Sequence, residues 1–193
     1  MQEKYIVFTG RPNAGKSSLV KELTGLKIPT GKRPGTTRKV TKYPLNDNLV
    51  LIDLPGLGKM SRASKQLEEK VNQQIIEFLE SNTQNILLAI EVLDITTFLE
   101  VTWRLEKKGI MSVDVEMVKF LEEILGEYPL IAANKIDKTN SYELEANLKE
   151  FIYRINIGST NMEKKTGLGE LKDTIHSILV EKGYKTPFKI KSQ

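Results

Sequence analysis

Residues 4–9 (KYIVFT) form a short apolar run rich in branched and aromatic side chains, which predicts a buried strand near the start of the chain. Residues 85–93 (NILLAIEVL) are too apolar for a surface element and too short to cross a bilayer, as expected of a central parallel strand. Residues 129–133 (PLIAA) read as another buried strand, and 152–157 as a last one. By contrast 39–45 alternates, as a strand with one face in solvent would. The turn residues Asn46-Asp47-Asn48 and the apolar run 48–52 complete a hairpin with it. Helical spacing marks 17–23, then 64–80 through Leu67, Val71, Ile75, Phe78 and Leu79, and a closing helix through Leu168, Leu171, Ile175, Ile178 and Leu179. Two further helices are predicted over 114–125, capped by Asp114 and Gly126, and over 141–151, begun by Ser141. Residues 25–38, with three glycines and two prolines, make a loop, whereas 94–113 has helical patches broken at Gly109 and reads as an insertion. Strands alternating with helices predict an α/β fold in three layers. The central sheet would hold about six strands, mostly parallel with one antiparallel, and ligands would bind at the strands' carboxyl ends.

Composition narrows the chemistry. At 193 residues the chain suits one domain with a substantial core. It contains no cysteine, so disulfides and thiolate zinc sites are excluded, and its single histidine, His176, excludes a His-based triad or a multi-histidine metal site. No apolar run reaches the ~18 residues of a membrane span. Met1-Gln2-Glu3-Lys4 leads straight into the first strand, so the expectation is a cytoplasmic, soluble monomer without a signal peptide. The net charge of +4 equals the charge of Lys182, Lys185, Lys189 and Lys191, so residues 1–181 sum to zero; a domain over 1–182 and a basic tail over 183–193 are expected. Lys27, Lys32, Arg33, Arg38, Lys39 and Lys42 form a second basic block, uninterrupted by any carboxylate. Such blocks suit a polyanionic partner, although many are simply solvated.

The glycine loop between the first strand and first helix is Gly10-Arg11-Pro12-Asn13-Ala14-Gly15-Lys16-Ser17-Ser18, which fits G-x-x-x-x-G-K-[ST]. Backbone N–H groups of such a loop, at a helix N-terminus, cradle phosphate. Lys16 would reach the β- and γ-phosphates, and the Ser17 hydroxyl would ligate Mg²⁺. Asp53-Leu54-Pro55-Gly56 follows the buried strand 48–52, so Asp53 would hold Mg²⁺ through water and the Gly56 N–H would sense the γ-phosphate. Asn134-Lys135-Ile136-Asp137 follows the strand 129–133 in the same way. A carboxylate at Asp137 can accept both donors of a guanine edge, with Lys135 laid along the base and Asn134 tying it to the loop. Adenine lacks that donor pair and would leave the carboxylate desolvated and unpaired.

Together with Arg33-Pro34-Gly35-Thr36-Thr37, these motifs resemble the translation-factor-class P-loop GTPases of the Era/TrmE-like branch. Within it the chain is similar to the EngB (YihA) ribosome-biogenesis GTPases in an archaeal-like version. The resemblance implies a P-loop NTPase fold, GTP and GDP as ligands, slow GTP hydrolysis and a switch acting in assembly of the large ribosomal subunit, with links to growth and division. Lys16, Thr37 and Gly56 would be the catalytic set; Gly35 and Thr36 would adjoin the nucleotide, with Thr37 capping Mg²⁺ beside Ser17 and Asp53, or Thr36 in its place. Asn13 would either help hold K⁺ or cap the loop's own backbone. The fifth motif falls on Ser159 and Thr160, with Asn161-Met162-Glu163 as the alternative register. The expected partner is ribosomal RNA or the large subunit, with no membrane. Competing readings are a P-loop metabolic kinase, which would need no guanine carboxylate, and a nucleotide-dependent binding module at a membrane or division site, which would need an amphipathic anchor.

Overall fold

A computed structural model describes residues 2–26, 28, 39–46, 48–59, 64–155 and 167–185. Its sheet has the strand order β2-β3-β1-β4-β5, where β1 is Lys4–Thr9, β2 Thr41–Pro44, β3 Leu49–Asp53, β4 Ile86–Asp94 and β5 Leu130–Asn134. All pairs are parallel except β2 with β3. The expected α/β architecture is therefore present, with five strands among the described residues where about six were expected. Asp53 lies opposite Phe8, Thr9 opposite Glu91, and Asp94 opposite Asn134, so the carboxyl ends of four strands meet at one rim. Because β3 lies on one side of β1 and β4 on the other, that rim is the topological switch point where such sheets bind ligands.

Helices α1 (Lys16–Thr24), α2 (Lys65–Ser81), α3 (Phe98–Glu106), α4 (Val113–Leu125), α5 (Ser141–Ile155) and α6 (Leu168–Glu181) complete the fold. Strand alternation sends Ile6, Phe8, Ile90 and Val92 into a core with Val20, Leu23, Ile175 and Leu179 of α1 and α6. It sends Val7, Ile52 and Ala89 to the opposite face, against Val71 and Ile75 of α2 and Met117 and Leu121 of α4. The three layers follow from that alternation. Among the described residues no helix is long and apolar enough to cross a membrane.

Three local expectations are corrected. Residues 152–155 are not strand, because α5 continues to Ile155. Leu144, Leu148, Phe151 and Ile155 recur every three or four residues, so they lie on one helical face, and they pack into a cluster with Phe98. Asn140, not Ser141, begins that helix: its Oδ1 accepts from Glu143 N at 2.9 Å while Glu143 Oε2 accepts from Asn140 N at 3.4 Å. Ser112 caps α4 by accepting from Val115 N at 3.4 Å, whereas Asp114 is fully buried and turned toward the glycine loop. The 94–113 stretch resolves into a turn at 95–97, then α3, then a reversal at Gly109 with φ 69°.

Candidate functional site

The loop from Gly10 to Gly15 joins β1 to α1, and Lys16 is the first helical residue. Its ammonium folds back to donate to the Gly10 and Arg11 carbonyls at 2.8 and 2.9 Å. Burial lowers the Lys16 pKa, against the pull of Asp53, Glu91 and Asp114. Only anions close to the ammonium offset such desolvation, which suits the loop to phosphate. At the next residue, Ser17 Oγ donates to Asp53 Oδ2 at 2.6 Å. Asp53 is 1% exposed, and its second oxygen has no hydrogen-bond partner among the described residues. Burial raises the Asp53 pKa, with the Ser17 hydroxyl and Lys16 opposing. A hydroxyl and a buried carboxylate with a spare oxygen form a hard-oxygen pair, so these residues fit Mg²⁺.

The segment after β3 is pinned beneath the loop. Leu54 N donates to Phe8 O and Leu57 N to Gly10 O, each at 3.2 Å. A Cβ on Gly56 would lie 2.4 Å from Pro12 N, so only glycine lets this backbone meet the loop. The Leu57 side chain packs in the core with Val7 and Ile52.

On the other side Asn134, the last residue of β5, donates from Nδ2 to the Ala14 carbonyl at 2.8 Å. A Cβ on Gly15, which has φ 100°, would stand 2.2 Å from that nitrogen. Lys135 adopts φ 64°, and its ammonium reaches Asn13 O at 2.7 Å and Asp94 Oδ2 at 2.5 Å. Asp94 Oδ1 in turn accepts from Thr96 N and Thr96 Oγ1 at 3.2 and 2.7 Å. Burial alone would raise the Asp94 pKa, but the bonds from Lys135 and Thr96 outweigh it and hold the carboxyl below its ordinary value. Asp137 lies in a short 3₁₀ turn, Ile136–Lys138, exposed at the rim.

Residues 10–18, 53–56 and 134–137 therefore converge on one end of the sheet. Gly35, Thr36, Thr37, Ser159 and Thr160 lie outside the described residues, as do Asn161, Met162 and Glu163. Sequence reasoning missed Asp94, Glu91 and Asp114 as parts of this neighbourhood. Asp94 obeys the rule that singled out Asp53 and Asp137, an acid at the carboxyl end of a buried strand. Glu91 interrupts an apolar strand and is fully buried, with neither oxygen hydrogen-bonded among the described residues. Asp114 Oδ2 lies 2.6 Å from Arg11 Nε, and the Arg11 fork also donates to Thr97 Oγ1 at 3.4 Å.

Residues 5–135 match the family model described as "50S ribosome-binding GTPase". The chain is 43% identical over 145 residues to the "Probable GTP-binding protein EngB" of Methanopyrus kandleri, covering 74% of this chain and 70% of that one. Against the protein of the same description from Methanosarcina mazei, identity is 35% over 187 residues, covering 90% of this chain and 88% of the relative. A crystal structure of a probable GTP-binding protein engB superimposes with a TM-score of 0.81 at 32% identity, over 92% of this chain and 99% of that one.

Proposed function

The chain belongs to the EngB family of GTP-binding P-loop GTPases, which hydrolyse GTP, and from that premise we propose a Mg²⁺-dependent guanine-nucleotide switch that acts in assembly of the large ribosomal subunit. The observation that carries it is the interlock of three motifs at one rim, with Asn134 bonded to the loop at Ala14 and Ser17 bonded to Asp53. Residues 10–18 hold the phosphates, Lys16 neutralises developing charge on them, and Asn134, Lys135 and Asp137 hold guanine. Ser17 and Asp53 would hold Mg²⁺, with Thr37 as its nucleotide-dependent cap. Held there, the ion would supply positive charge to offset that of the phosphates. The Gly56 N–H senses the γ-phosphate. Ser159 and Thr160 close the guanine pocket, and Gly35 and Thr36 flank the phosphates.

The body 1–182 works as one monomeric GTPase domain in the cytoplasm, followed by the basic tail. Residues 25–38 and 54–64 are the switches, ordered through Thr37 and Gly56 and released on loss of the γ-phosphate. The partner is ribosomal RNA of the large subunit. Support comes from the description of the matching family model and from the basic block Lys27–Lys42, which overlaps the first switch. Growth and division then depend on this protein through subunit assembly. Cosedimentation with large subunits tests it: binding in a GTP analogue, lost in GDP and weakened by Lys32→Ala with Arg33→Ala, is expected. Equal binding in both nucleotides would overturn the switch reading.

A further inference from the structure

From the outer face of α3 we infer a second nucleic-acid contact, a single-stranded RNA docking surface centred on Trp103, on a helix outside the two proposed switch segments. The helix buries Phe98 and Thr102, which places Glu100, Trp103, Arg104 and Lys107 along the opposite stripe. Trp103, the chain's one tryptophan, is 52% exposed, and Ile110 and Met111 just beyond the helix are 51% and 48% exposed. Burying apolar side chains in the core accounts for the rest of this helix but leaves this group in solvent.

The charge around the indole selects the occupant. Arg104, Lys107 and Lys108 are exposed, and no carboxylate among the described residues forms an ion pair with them. On the same helix Glu106 is occupied by Arg154 at 2.8 Å, which leaves Glu100 as the one uncommitted acid beside three cations. An aromatic face flanked by unpaired cations is the arrangement that stacks an unpaired base while the cations meet its phosphates. A protein groove would take the indole and the two aliphatic side chains, but it would desolvate the cations without a countercharge.

This surface is fixed in the fold. Phe98 packs edge-on against Phe151 with centroids 5.1 Å apart, and the turn before α3 touches Arg11 through Thr97. The face therefore binds in either nucleotide state, unlike the switch segments. It rests on the proposed RNA partner but not on GTP dependence.

Trp103 reports its own occupancy. Intrinsic fluorescence is followed while a mixed-sequence single-stranded RNA oligonucleotide is added to the full chain in excess GDP, with the matching duplex as comparison. The expected result is quenching by the single strand, roughly ten-fold weaker binding in Trp103→Ala, and a similar loss with a shallower salt slope in Lys107→Glu with Lys108→Glu. The paired charge reversal alters only exposed side chains, so it keeps the test valid if Trp103→Ala fails to fold. RNA binding without a change in Trp103 fluorescence would overturn this surface and leave the switch reading standing. Quenching by RNA-free proteins of the large subunit, and not by RNA, would overturn it in favour of a protein partner. No RNA binding under either nucleotide would remove both this surface and the RNA partner of the proposed function.

Discussion

Asn134 Nδ2 lies 2.8 Å from the Ala14 carbonyl and would be 2.2 Å from a Cβ on Gly15. One side chain thus fixes the phosphate loop to the segment proposed to read the base, and it does so in the space a glycine leaves open. Asn134→Ala removes two hydrogen bonds, the one donated to the Ala14 carbonyl and the one Oδ1 accepts from Lys135 N at 2.9 Å, each worth about 1 kcal/mol. GDP affinity measured by titration should fall about ten-fold, and the melting temperature of the nucleotide-free protein should fall by a few degrees. Gly15→Ala should weaken GDP at least as much, since the new methyl must displace Asn134.

Asp94 bonds Lys135 and Thr96, and these bonds depress its pKa. A carboxylate depressed by folding contributes stability above its unfolded pKa and loses it as pH falls through the folded value. Asp94→Asn should therefore destabilise the protein at neutral pH, and the deficit should shrink at acid pH. Thermal melts across that range check it.

Glu91 behaves in the opposite sense. Burial and the nearby Asp114 raise its pKa well above the ordinary carboxylate value, so its burial costs little below the unfolded pKa and costs progressively more as pH rises toward the folded one. Glu91→Gln should raise the melting temperature, by more at neutral than at acid pH. A gain independent of pH would show that the charge is not the cause.

The Leu57 side chain is in the core, where a Ras-like GTPase carries a water-orienting glutamine. Turnover by the isolated protein should be slow. If Asn13 holds K⁺, turnover should be faster in KCl than in NaCl, and Asn13→Ala should abolish the difference. Equal wild-type rates in the two salts would dismiss K⁺.

Much of this site is legible in the chain because its motifs follow apolar strands, and a parallel sheet brings such ends together. Asp53 and Asn134 could be placed beside the loop for that reason alone. The Arg11–Asp114 pair could not, since its partners are distant in sequence and Asp114 also satisfies a helix-start pattern. Residues 152–155 misled for a related reason. Ile152 and Ile155 fit a strand as well as a helix until the packing partners of Ile155 are known. Phe151 and Ile155 are both buried with Phe98, so Phe151→Ala should destabilise the domain by about 3–5 kcal/mol in denaturant unfolding.

The most direct test of the guanine-reading site is exchange of the base edge at Asp137. Asp137→Asn replaces an acceptor-only carboxylate with an amide that can donate to xanthine. GDP affinity of this variant should fall at least about 100-fold, as expected for loss of two charge-assisted hydrogen bonds. Xanthosine diphosphate should bind it more tightly than GDP, and ATP should compete with neither. Unchanged GDP affinity in Asp137→Asn would contradict the assignment of residues 134–137 to the base.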